Sequence, residues 1–112
     1  MPRSQSEFTS EVLALLGILG PGETPSAEDS QRVEAVKTAA FATLGRLGAY
    51  DQSPSDDVED GIFYPLATYV SLLASPRYSI PLDPKMVLEA ERQIRRAAAF
   101  AAKPQTLSAE YF

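Results

Sequence analysis

The chain has 112 residues, the size of one domain, and a domain of that length hides roughly two-thirds of the surface that its unfolded form exposes. Neither cysteine nor histidine occurs, which excludes disulfides, thiolate and imidazole metal sites, Ser/His/Asp and Cys/His nucleophilic centres, and any imidazole pH switch. The net charge of −5 is unevenly spread: residues 1–60 carry four basic and eleven acidic side chains, about −7, and residues 61–112 carry six and four, about +2.

An acidic first half does not suit tight binding of a phosphate backbone, because counterion release needs clustered Lys and Arg. It suits a surface that DNA passes without sticking. The start Met1-Pro2-Arg3-Ser4 leads into Phe8–Leu19, whose apolar residues are interrupted by Thr9, Ser10 and Glu11 and followed by no A-x-A-like site, so no signal peptide is expected. No window approaches the roughly 18 uninterrupted apolar residues that crossing a bilayer requires. The expectation is a soluble protein made in the cytoplasm, with no membrane partner.

In chain order, Ser6 is the expected first N-cap. Phe8, Val12, Leu15, Leu16 and Leu19 then recur at helical spacing, with Glu7 and Glu11 near the positive end of the dipole, and Gly20-Pro21-Gly22 as the stop. This stripe reads as one buried face. Its polar side lacks the Lys and Arg that membrane-surface helices usually carry. Ser26 opens the second helix, with Glu28 and Asp29 in its first turn. Val33, Val36, Ala40, Leu44 and Leu47 share one face, and Gly48 ends the helix.

Residues 49–60 hold Asp51, Asp56, Asp57, Glu59 and Asp60 with no basic residue, around Ser53-Pro54-Ser55. This is an acidic loop. It lacks the alternating ligands, central Gly and closing Glu of an EF-hand, so solvation is favoured over metal binding. Gly61–Ala74 is the most apolar stretch, with Ile62, Leu66, Tyr69, Val70 and Leu73 at helical spacing. Because Pro65 is comfortable only in a first turn, the regular helix is expected to begin near Tyr64, with any helical turn before it kinked, and to end at Ser75-Pro76; a strand over Ile62 to Tyr64 is the alternative, without an obvious partner.

Arg77–Leu82 reads as an extended connector, and Asp83-Pro84 as an N-cap followed by proline at the first helical position. The fourth helix is expected to run to about Ala102. Val87, Ala90, Ile94, Ala97 and Ala101 form its inner face, and Glu91/Arg95 and Glu89/Arg92 its surface pairs. Arg92, Arg95 and Arg96 form a basic ridge, read either as a solvated face or as a docking surface for an acidic neighbour. Lys103-Pro104 is the expected stop. In the tail Gln105–Phe112, Leu107, Tyr111 and Phe112 leave apolar surface wet without a groove to receive them, whether on their own domain or on a partner.

The fold expected is all-α: a four-helix bundle-like domain over residues 1–103 with an extended C-terminal tail over 104–112. No G-x-G-x-x-G, Walker A or nucleophile-elbow motif occurs, and the Gly17/Gly20/Gly22 cluster follows a helix rather than the strand a phosphate loop requires.

Leu13-Ala14-Leu15-Leu16-Gly17, Gly22-Glu23, the Ser26-Ala27-Glu28 helix start, Tyr64-Pro65-Leu66-Ala67 leading to Pro76-Arg77-Tyr78, Pro84 before an Ala90-bearing helix and a tail after Pro104 form one pattern. It resembles the head-to-tail adaptor family of tailed phages, the packaged-DNA stabilisation or tail accessory factors. The resemblance spans nearly the whole chain through short, degenerate pieces.

It implies a virion protein at the head–tail junction, made in the host cytoplasm. Copies would form a ring, usually a dodecamer, beneath the portal protein and above the downstream tail or nozzle protein, with DNA passing through the channel. The family performs no chemistry and needs no cofactor. Its C-terminal extension rises against the portal, which by position falls here on Gln105–Phe112, with Leu107, Glu110, Tyr111 and Phe112 as the portal-binding residues. Arg92, Arg95 and Arg96, together with Asp56, Asp57, Glu59 and Asp60, are the expected inter-subunit or partner surfaces. The compact tail and the extended acidic 49–60 loop depart from longer family members, which leaves the reach of the tail and the tail-side surface open.

Two other readings stand beside this one. A small helical regulator would bind one cellular protein as a monomer or dimer. A paired-carboxylate enzyme would draw on Glu7, Glu11, Glu59 and Asp60, but nothing in the sequence brings two of these acids to one cleft.

Overall fold

A computed structural model of the chain describes residues 4–20, 22–50 and 58–110, with side chains up to residue 99. Four helices, α1 (Gln5–Leu15), α2 (Ala27–Arg46), α3 (Asp60–Ala74) and α4 (Pro84–Glu110), make an all-α bundle. A 310 turn, Ser75–Tyr78, lies between α3 and α4, and there is no strand among the described residues.

Helix α1 starts two residues earlier than Ser6. Its N-cap is Ser4, whose Oγ accepts the Glu7 N–H at 3.3 Å. The reason is spacing: Ser4 has a glutamate three residues on, the capping-box register, whereas Ser6 is followed by Thr9. The helix also stops earlier. Gly17 takes φ +76°, and the Ile18 and Gly17 N–H groups reach back to the Leu13 and Ala14 carbonyls, both at 3.0 Å. This is a Schellman closure, which only a residue at ease with positive φ completes without strain. Gly17, not Gly20-Pro21-Gly22, is therefore the stop. The buried face becomes Phe8, Thr9, Val12 and Leu13, while Leu15 turns outward and Leu16 and Leu19 pack partly against the core.

In α2 the expected cap is present, with Ser26 Oγ accepting the Asp29 N–H at 3.1 Å. The expected stop is present too: Gly48 at φ +70°, with the Ala49 N–H on the Leu44 carbonyl at 3.0 Å. Leu47, placed on the inner face by periodicity, is the C-cap and is exposed. The buried face also holds Lys37, fully inaccessible to solvent. Its Nζ binds Gln5 Oε1, lies 3.1 Å from Glu34 Oε2 and sits 5.7 Å from the centre of the Phe8 ring.

Helix α3 is the hub, touching α1, α2 and α4. It begins at Asp60 and runs through Pro65, four residues ahead of the start near Tyr64. An interior proline costs ~3 kcal/mol, but burying Ile62 and Phe63 regains ~1.5–3 kcal/mol each, so packing prevails over local preference. Phe63 meets Phe8 edge-to-face at 5.9 Å, and Phe8 meets Phe41 the same way at 6.2 Å, which joins α1, α2 and α3. The connector is only partly extended: its first two residues, Arg77 and Tyr78, belong to the 310 turn, closed by Ser79 at φ +61° with the Ile80 N–H on the Ser75 carbonyl. Tyr78 Oη donates to Asp29 Oδ1 at 2.9 Å, tying this turn to the start of α2.

Pro84 opens α4, with the Lys85 N–H on Asp83 Oδ1 at 3.0 Å. Ala90 and Ile94 are buried against α3, and Val87, Ala97 and Ala98 partly so. The helix does not stop at Lys103-Pro104 but continues to Glu110. Good helix formers flank the proline, a run of alanines before it and Gln105, Leu107, Ala109 and Glu110 after it, and they carry the backbone across one missing N–H.

Candidate interaction surfaces

The C-terminal part of α4 runs past the start of α3. Tyr69 Oη donates to Glu91 Oε1 at 3.4 Å, which sets these two residues opposite each other on antiparallel helices. At ~1.5 Å per residue, α3 extends ~14 Å back from Tyr69 to Asp60, whereas α4 extends ~28 Å from Glu91 to Glu110. The last ~15 Å of α4 thus have no α3 beside them. Leu107 and Glu110 lie in this overhang as backbone, with side chains outside the described set, and Tyr111 and Phe112 fall outside the described residues.

The arginine ridge faces outward, and its members differ. Arg92 is three-quarters exposed, with Nη1 3.7 Å from Glu89, as the sequence pairing anticipated. Arg95 does not join Glu91, which is engaged by Tyr69. Instead Arg95 Nη2 donates to the Leu47 carbonyl at 3.1 Å and places a cation on the C-terminus of α2, where the helix dipole favours one. Arg96 is exposed. Leu88, 59% exposed, stands one turn before Arg92 on the same outward side.

Of the acidic loop, Asp56 and Asp57 lie outside the described residues. Glu59 is the exposed N-cap of α3, making no side-chain cap bond, and Asp60 occupies its first turn. Both carboxylates sit at the positive end of that helix. The structure does bring Glu7 and Glu11 together, in a feature the sequence did not disclose. The segment after Gly17 folds back along α1 and encloses an open groove of about 590 Å3. Its floor is Ala14, Leu19 and Phe63, and its sides are Ser6, Glu7, Ser10, Glu11 and Glu23. Glu23 Oε1 accepts the Gly20 N–H at 2.9 Å, which holds the turn closed. The small residues Ser10 and Ala14, spaced by four beside Glu7 and Glu11, were the only advance sign of it.

Among the described residues, no cluster of three or more His, Cys, Asp or Glu side chains is arranged to hold a metal, and no helix is long and apolar enough to cross a membrane. Comparison with family models, curated proteins and solved structures found no match.

Proposed function

We propose that the protein is a structural connector of a tailed phage, forming a ring beneath the portal and bridging it to the tail while DNA passes through the channel. The observation that carries this reading is the α4 overhang, a stretch of helix that runs past α3 and carries Leu107 and Glu110, with Tyr111 and Phe112 following it in the sequence. The sequence resemblance assigns portal contact to that segment. A buried aromatic core across three helices supplies a rigid body, and the acidic first half suits a channel that does not retain phosphates. The work assigned to the molecule is fitting between larger parts, with no chemistry and no cofactor.

The test is native mass of the protein mixed with the portal of the same phage. A ring-sized complex on the portal is the expected result, and a lone monomer or dimer in every mixture overturns the reading in favour of a small helical regulator.

A further inference from the structure

We propose that the groove along α1 receives the outer face of α4 from a second copy of this chain, joining copies head to tail. This rests on the ring reading and names its lateral contact. The two surfaces match in spacing and in kind. Glu7 and Glu11 stand on the groove side one helical turn apart, and Arg92 and Arg96 stand on the outer face of α4 with the same spacing, ~6 Å along each axis. Set antiparallel, the helices bring Arg96 to Glu7 and Arg92 to Glu11 in the same docking. Leu88, one turn before Arg92, then falls at the level of Ala14 and over the Leu19 and Phe63 floor.

An exposed leucine followed by two arginines thus faces an apolar floor beside two carboxylates, which is charge complementarity next to an apolar anchor. Arg95 is held by the Leu47 carbonyl, whereas Arg92, three-quarters exposed and 3.7 Å from Glu89, and the exposed Arg96 form the reaching pair. Ser10 and Ala14 allow close approach of a helix. Helices α1 and α4 both pack on α3, and the groove and the ridge are different surfaces of one molecule. Contact between them is therefore heterologous: repeated from copy to copy, it closes into a ring or runs on as a filament.

The test uses the full chain in two charge-reversed forms, Glu7→Lys/Glu11→Lys and Arg92→Glu/Arg96→Glu, with association followed by sedimentation velocity, alone and with portal. Each form by itself should associate at least tenfold more weakly than the unaltered protein. Mixing the two should restore association, because every groove then meets a ridge of opposite sign, and this restoration also shows that both forms are folded. Leu88→Ser should weaken association with little change in its salt dependence. Undiminished association of either reversed form, or loss without recovery on mixing, overturns this contact and leaves the ring reading standing. Monomers of the unaltered protein under all conditions, portal included, overturn both.

Discussion

An ammonium taken fully out of water is costly unless its protons are engaged, and Lys37 meets that demand through the Gln5 carbonyl, the Glu34 carboxylate and the face of Phe8. Its stem fills core space between α1 and α2, so the residue acts as packing and as a polar pin. Lys37→Ala removes both and leaves a cavity; we expect a loss of about 2–4 kcal/mol in urea unfolding. Lys37→Met keeps the stem and discards the charge, and should cost less than half as much. Equal losses in the two variants would show that the polar contacts, and not the packing, hold the site. Tyr69 gives a pH signature. Burial first, then the charge and hydrogen bond of Glu91, raise its phenol from the ordinary value of 10.0 to about 12. The folded state therefore holds this proton where the unfolded state has released it, so the contribution is complete below pH 10 and is lost as pH rises towards 12. Tyr69→Phe should flatten the fall of stability over that window, measured as the difference between the two proteins' urea midpoints across the alkaline range. Parallel curves would exclude the Tyr69 proton as the source.

At the scale of elements, two glycines have opposite roles. Gly17 at φ +76° closes α1, and a Cβ there would meet nothing within 4 Å, so the whole cost of Gly17→Ala is backbone conformation, about 1 kcal/mol. Gly61 lies inside α3 with equally open space and no positive φ, so Gly61→Ala should stabilise by about 0.5 kcal/mol through the unfolded chain's lost freedom. Thermal unfolding of the pair checks both signs, and two shifts of the same sign would refute the assignment of Gly17 as the closing residue. The contrast also marks what the sequence disclosed. The caps Ser26 with Asp29, Gly48, and Asp83 before Pro84 were legible, although Ser4 and Gly17, equally local, are displaced in the sequence reading by Ser6 and Gly20-Pro21-Gly22. The basic ridge was legible too, since its residues are neighbours on one helix. Boundaries settled by tertiary packing were not. Pro65 looked like a first-turn residue until Phe63, buried against Phe8, drew the helix back to Asp60. The groove was hidden for the same reason, because Leu19 and Phe63 meet beside Glu7 and Glu11 only once the chain after Gly17 folds across α1.

For the whole molecule, the decisive feature is that α4 outruns α3 by ~15 Å. The described buried core draws on α1, α2, α3 and the first half of α4, ending with Ile94 and the flanking Ala97 and Ala98. Residues beyond about 100 have no length of α3 beside them, so removing the last part of the chain takes no partner away from α3. Deletion of Leu107–Phe112 should therefore leave the urea midpoint and helical content of the remaining domain within ~0.5 kcal/mol, the range of a change that avoids core and caps. On the connector reading, the same deletion should abolish docking to the portal, because Leu107, Tyr111 and Phe112, assigned to portal contact, go with it. Both measurements are needed, since a domain that unfolds on truncation would show the segment packing on its own bundle. A domain that stays folded and still docks would remove the portal role from Leu107, Glu110, Tyr111 and Phe112 and move the contact to the sides of the bundle, where the exposed arginines and the α1 groove remain.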